Sequence, residues 1–320
     1  MKKEEIVELL RKDMRGEHQA IIQYLYHAYA MGEGEIACEV EAIARDEMRH
    51  LDWLADAIME LGGEPTMERD EPDFSLGTVA ENLQKNAELE QVAVEQYRVH
   101  IEAIDDPKIR RLLARILHDE LAHKEQFLDL AKEAAEEAEA AAEGEGAVPA
   151  APPERLVEIL NQGIRHEYTV ILQYLYHSFV AEDKELFEEL QNTAINEMQH
   201  MGWLAEALAS RGGKPEMSHT ELFLSHDAQE NLQADIAVEQ EVTRDYTEQL
   251  GELDDEKLKK LIARIRDHEI YHDAVFKYLL EEVREEAKPG EEAPQEEEPQ
   301  AEEPEEKSPP TIPTVGSLKE

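Results

Sequence analysis

The sequence predicts an all-α protein: two tandem four-helix bundles, each with one long crossover, followed by a disordered acidic tail. Three observations carry this. Apolar residues recur at helical spacing through most of the chain. The segment QYLYH at Gln23–His27 returns at Gln173–His177, and ENLQ at Glu81–Gln84 returns at Glu230–Gln233, offsets of 150 and 149, so one unit occurs twice with a single residue lost. Charged residues make up 34% of the chain and aromatics 6%, as in helical proteins with a polar extension. A period near 150 is too long for a solenoid repeat and marks duplicated domains.

The periodicity places the first copy's helices near 3–31, 35–61, 76–104 and 106–141. The turn at Gly32–Gly34 makes the first connection short. The stretch Gly62–Gly77, with glycines at the helix end and prolines beyond, is a longer crossover. DDP at Asp105–Pro107 makes the last connection short again, with Asp suited to the N-cap and Pro to the first turn. Short, long, short describes a one-crossover four-helix bundle. The expected organisation is bundle 1 at 1–141, a Gly/Ala/Pro-rich linker at 142–153, bundle 2 at 154–287, an acidic linker at 288–313 and a terminal peptide at 314–320. The acidic linker has too few apolar residues to offset the entropy of ordering itself.

The core stripes run in steps of three and four. On the second helix the stripe is Ile36, Val40, Ile43, Glu47, His50, Leu54, Leu61; on the fourth it is Ile109, Leu113, Ile116, Glu120, His123, Phe127, Leu130. The first carries Leu10, Glu17, Ala20, Tyr24, Met31, and the third Val79, Leu83, Glu90, Ala93, Tyr97, Ile104. Each stripe is apolar except near its middle. Glu167, Glu197, His200, Glu239, Glu269 and His272 reproduce the six polar positions without a substitution.

With 76 acidic residues and 13 histidines, an acid three residues before a His arises by chance about three times, so the pair alone is a weak signal. Glu216–His219 lies in the second crossover and reads as such a chance match. The other four Glu-x-x-His pairs lie mid-helix on the core stripe, with no Lys or Arg among them. Unpaired buried carboxylates cost several kcal/mol each, on the order of magnitude for isolated buried charge, which points to metal. Four carboxylates and two neutral imidazoles per bundle balance two divalent cations. Oxygen ligands with one His per ion suit iron, and manganese also fits; zinc could occupy the site adventitiously, and Cu(I) is disfavoured. A Glu from each of two helices and Glu-x-x-His from each of the other two is the pattern of dimetal carboxylate bundles.

Composition excludes other classes. A formal net charge of −44 argues against nucleic-acid binding and fits a surface that concentrates cations. The single cysteine, Cys38, allows no internal disulfide and no four-cysteine metal site. The start MKKEEIVELL has no signal-peptide core and no run of apolar residues is long enough to span a membrane, so the expectation is a soluble cytoplasmic protein.

These residues resemble the ferritin-like superfamily, bacterioferritin and rubrerythrin most. GEHQAIIQYLYHA is similar to the first bacterioferritin helix, EMRH to the second and DELAH to the fourth, and the likeness spans both copies. The resemblance implies that Glu47 and Glu120 bridge two iron ions, that Glu17 and Glu90 are terminal ligands, and that His50 and His123 each bind one ion, with the same roles repeated in the second copy. It implies a role as nearby electron donors for Tyr24 and Tyr174, whose alternative is core packing. Met48 and Met198 match the position that supplies haem ligands between bacterioferritin subunits, although a Met beside a core stripe usually packs. Two fused bundles and no fifth helix depart from a cage-forming subunit, and the missing four-cysteine module departs from standard rubrerythrin.

The terminal TVGSLK, Thr314–Lys319, resembles the cargo-loading peptides of encapsulin shells, at the end of an acidic tether. The resulting expectation is a di-iron ferroxidase that oxidises Fe(II) with O2 or peroxide, inside an encapsulin nanocompartment in the cytoplasm, with homo-oligomerisation left open. Two alternatives share the ligand shell: a peroxide-detoxifying di-iron or di-manganese enzyme, and a non-catalytic iron-binding scaffold.

Overall fold

The computed structural model describes residues 1–141 and 152–286. The expected acidic linker and terminal peptide lie outside the described residues, as does all but the end of the linker at 142–153. Eight helices and no strand occur among the described residues: α1 Lys3–Met31, α2 Glu35–Glu60, α3 Val79–Ala103, α4 Pro107–Ala141, α5 Glu154–Val180, α6 Lys184–Ala209, α7 Ala228–Gln249 and α8 Glu256–Glu286. Helices α1–α4 form bundle 1 and α5–α8 bundle 2, each a pair of hairpins joined by the long crossover. Among the described residues no helix is long and apolar enough to cross a membrane.

Local chemistry sets the boundaries. α2 ends in a Schellman motif: Gly62 N–H donates to Met59 O and Gly63 N–H to Ile58 O, with Gly62 at φ 79°, a left-handed conformation that a side chain would strain. α3 starts three residues later than its apolar pattern suggests. Thr78 accepts from Glu81 N–H while the Glu81 carboxylate accepts from Thr78 N–H, and this capping box fixes the start. Val79, expected on the core stripe, is consequently in the first turn and exposed. In the DDP turn it is Asp106 that caps α4, accepting from Lys108 and Ile109 N–H, while Asp105 pairs with the N-terminal ammonium. Asp183, Asp227 and Asp255 cap α6, α7 and α8 in the same manner.

The two bundles pack on each other through α1 and α2 against α5 and α6. Around the middle of this interface the lining residues fall in pairs 150 apart: His18 and Tyr168, Ile21 and Ile171, Ile22 and Leu172, Leu25 and Leu175, Met48 and Met198, Leu51 and Met201. Such pairing of equivalent positions is the signature of a twofold relation between the halves. His18 Nε2 meets Tyr168 Oη at 2.7 Å, Arg69 reaches across to Tyr168 and to Met217 O, and Gln191 donates to Asp52. The apolar core runs continuously from one bundle into the other.

Candidate metal centre

The acid-bearing stripes meet midway along each bundle. In bundle 1, α1 presents Glu17, α2 Glu47 and His50, α3 Glu90, and α4 Glu120 and His123, all buried; Glu167, Glu197, His200, Glu239, Glu269 and His272 do the same in bundle 2. Candidate ligand atoms of Glu17, Glu47, His50 and Glu120 lie within 4.8 Å of one another, as do those of Glu47, Glu90, Glu120 and His123. Glu47 and Glu120 belong to both groups. Glu197 and Glu269 are likewise shared between the groups completed by Glu167 and His200 and by Glu239 and His272. The structure thus brings together all twelve acid and histidine positions singled out from the sequence.

Each histidine turns Nδ1 inward. His50 Nδ1 lies 2.8 Å from Glu47 Oε2, 3.0 Å from Glu120 Oε1 and 3.5 Å from Glu17 Oε2. His200 Nδ1 lies 2.7 Å from Glu197 Oε2 and 3.1 Å from Glu269 Oε1. Helical geometry explains the register, since residues three apart stand on one face. Glu90 Oε2 is buried without a hydrogen-bond partner, and the close approaches of Glu47 Oε1 to His123 Nδ1 (2.9 Å), Glu120 Oε1 to His50 Nδ1 (3.0 Å), Glu197 Oε1 to His272 Nδ1 (2.6 Å) and Glu269 Oε1 to His200 Nδ1 (3.1 Å) lack hydrogen-bond alignment. Orphaned acceptors in a dry core are costly unless a cation satisfies them. Oxygen-rich shells with one imidazole per group fit iron or manganese.

The electrostatics describe a cluster short of positive charge. Burial, then mutual repulsion, pushes the Glu90 and Glu120 carboxyls well above the ordinary range, and does the same for Glu167 and Glu239. Burial followed by the charge of Glu90 raises Glu47 to about 7. Burial alone would lower His200, but the carboxylates Glu197, Glu269 and Glu167 outweigh it and hold its pKa at about 11. His272 stands at about 9 on a similar balance with Glu197 and Glu269. Glu197 departs from this pattern: burial would raise it, but His200 and His272 hold its carboxyl below the ordinary range.

Tyr24 donates to Glu90 Oε1 at 2.7 Å and Tyr174 to Glu239 Oε1 at 2.5 Å, so both touch a candidate ligand while packing edge-on against Phe127 and Phe276. Sequence reasoning assigns Tyr97 only to the core stripe, yet it donates to Glu17, and Tyr246 donates to Glu167 in the same way. A signal for them exists, because a tyrosine follows the single Glu by seven residues on α1, α3, α5 and α7 alike. Glu216 and His219 stand apart from both centres. Glu216 pairs with Arg165, while His219 Nδ1 contacts Thr220 O and the ring packs on Tyr168. Met48 and Met198 line a cleft of ≈ 540 Å³ between the bundles, walled by Tyr29, Phe179 and Trp203.

A family profile described as a ferritin-like domain matches residues 157–285, and one described as rubrerythrin matches residues 8–131. A bacterioferritin of Desulfovibrio desulfuricans is 33% identical over 128 residues, covering 38% of this chain and 72% of that protein. One from Streptomyces coelicolor is 32% identical over 125 residues, covering 37% and 75%. Among solved structures, the D. desulfuricans bacterioferritin, determined with its diiron site in different catalytic states, matches at 31% identity and a TM-score of 0.40, covering 41% of this chain and 80% of that one. The Mycobacterium tuberculosis bacterioferritin BfrA matches at 21% identity and a TM-score of 0.41, covering 43% and 92%.

Proposed function

The chain belongs to the bacterioferritin family, and from that premise we propose that it is an Fe(II) oxidase with one dimetal centre in each bundle. The observation that carries the reading is the pair of buried clusters, each with four carboxylates and two imidazoles whose candidate ligand atoms face one another within 4.8 Å in each group. Glu47 and Glu120, common to both ligand groups of bundle 1, would serve both metal positions; Glu17 with His50, and Glu90 with His123, would complete them. In bundle 2 Glu197 and Glu269 would serve both positions, completed by Glu167 with His200 and by Glu239 with His272.

Iron is both substrate and redox agent in this reading: Fe(II) yields electrons to O2 or peroxide, and the oxidised ion moves on to storage. The chain's own part is to fix the ligands in a water-poor core and to hold protons. Tyr24, Tyr97, Tyr174 and Tyr246 each donate a hydrogen bond to a terminal carboxylate, restraining its rotation. Tyr24 and Tyr174, each bonded to a terminal carboxylate, are candidates for supplying an electron. The surface charge draws cations toward the bundles. The rubrerythrin match on bundle 1 favours a second reading, in which peroxide is the substrate consumed and the metal stays bound. The premise also makes Met48 and Met198 the candidate ligands of a haem, for which the apolar cleft between the bundles has suitable walls.

Thr314–Lys319 serves in this reading as a docking peptide for an encapsulin shell, with Val315 and Leu318 as its apolar anchors. Combined Glu47→Ala and Glu197→Ala should abolish rapid Fe(II) oxidation while circular dichroism stays helical, and each single variant should keep about half the rate if the centres act independently. Full activity in the double variant refutes the assignment. Deleting residues 314–320 should leave oxidation intact and end co-purification with a co-expressed shell; continued packaging refutes the cargo reading alone.

A further inference from the structure

The inner shells of the two centres are identical in residue type, so any difference between them must come from what lies behind the ligands. With Nδ1 turned inward, each histidine presents Nε2–H outward. In bundle 1 both outward groups find carboxylates: His50 Nε2 lies 3.4 Å from Asp119 Oδ2, and His123 Nε2 lies 3.4 Å from Asp46 Oδ2. Bundle 2 carries His268 and Asn196 at the corresponding positions. His200 Nε2 there lies 2.8 Å from His268 Nδ1. If His200 keeps Nδ1 for metal, its Nε2–H must donate, so His268 must accept through the Nδ1 lone pair. Only a neutral imidazole has that lone pair.

The contrast is therefore a carboxylate behind His50 in bundle 1 and a neutral imidazole behind His200 in bundle 2. Asp46 shares its charge with Arg49, whereas Asp119 contacts only His50 and the exposed His118 among the described residues. Asp119 against His268 is thus the larger difference. A carboxylate behind a histidine ligand raises its basicity and strengthens its hold on metal, most of all on the more highly charged ion.

We propose, building on the dimetal reading above, that the two centres form an unequal pair set by Asp119 and His268. The N-terminal centre binds metal more tightly and is the harder to reduce; the C-terminal centre binds more weakly and is the easier to reduce. Asp119 and His268 are positioning residues, since each acts through a histidine. One chain then holds a retentive centre and a centre suited to exchange.

The test uses the full chain with one centre disabled at a time, by Glu197→Ala or by Glu47→Ala. Co(II) affinity is read from its visible spectrum, and the reduction potential of each iron-loaded centre is measured separately. The N-terminal centre should bind Co(II) about 10–100-fold more tightly, the usual effect of an outer partner, and should have the lower potential. Asp119→Asn, close in shape, and Asp119→His should each weaken the N-terminal centre and raise its potential. His268→Asp should shift the C-terminal centre in the opposite sense. Equal affinities and potentials, or exchanges that move neither, overturn the proposal while leaving two working centres. Absence of Co(II) binding at both centres would instead overturn the dimetal reading, and this proposal with it.

Discussion

Replacing Glu47 by Gln should make the metal-free protein more stable at alkaline pH while removing its response to metal. Glu47 is fully buried and its pKa rises from 4.5 to about 7. The folded state therefore binds this proton more tightly than the unfolded one. Stability from this group is complete below pH 4.5 and is lost as pH rises through about 7. The loss amounts to about 3 kcal/mol, at about 1.4 kcal/mol for each pH unit between the two values. Gln removes that loss but has a single carbonyl oxygen, where Glu47 faces the Nδ1 atoms of both His50 and His123. One lost contact costs about 1 kcal/mol. A net gain of about 2 kcal/mol remains at pH 8, and none at pH 4. For a bundle of this size it corresponds to roughly 4–8 °C in the bundle 1 transition. Urea unfolding of the metal-free protein at both pH values measures it. Mn(II) at a hundred times its Kd should stabilise the unaltered centre by about 2.7 kcal/mol and the variant's bundle 1 hardly at all. A variant less stable than the parent at pH 8, or one that keeps the full Mn(II) response in bundle 1, refutes the view that this carboxylate sits in the core for metal.

Three further outcomes are expected. Burial lowers the pKa of His18 from 6.5 to about 3, so its contribution is present above pH 6.5 and is lost as pH falls toward 3; His18→Gln should flatten the stability loss between pH 6.5 and 5 by about 2 kcal/mol, read from denaturation curves. Tyr97→Phe should leave Glu17 without its hydroxyl donor and weaken Co(II) binding in bundle 1 roughly tenfold, with the matching effect of Tyr246→Phe confined to bundle 2. Changing Glu216 and His219 together to Ala should leave bound metal, measured by elemental analysis, at its unaltered stoichiometry, because neither side chain reaches a centre.

Helix order, crossover and the twelve buried acids and histidines are legible in the sequence because each follows from spacing along a single helix. Glu47 and His50 share a face whatever the rest of the chain does. Features that depend on register between helices are not. Tyr97 reads as one more core residue until α3 is set beside α1, where its hydroxyl meets Glu17. Asp119 and His268 look like ordinary surface residues on α4 and α8; their meaning comes from histidines on α2 and α6. The packing of bundle on bundle leaves only a faint trace. Ile21, Ile22 and Leu25 lie beside the Glu17 stripe on α1, so that helix is apolar over more of its circumference than one bundle core requires. The start of α3 escapes the apolar pattern because spacing alone ignores the competing hydrogen bonds of Thr78 and Glu81.

The His18–Tyr168 contact bears on what a covalently joined pair can do that separate subunits cannot. Where identical subunits meet across a twofold axis, a residue at the axis faces its own copy, so it must be complementary to itself. Two histidines would compete for one proton, and two phenols would need a shared geometry. Here equivalent positions hold different residues, and an imidazole accepts or donates where a phenol does the reverse. Carrying both halves on one chain fixes their ratio at one to one and keeps their local concentration independent of expression level. Relieved of self-complementarity, each half is free to vary alone, and mixed pairing costs nothing in yield. The seam between the bundles is therefore a place where heterodimer chemistry can be built without the problem of sorting like from unlike.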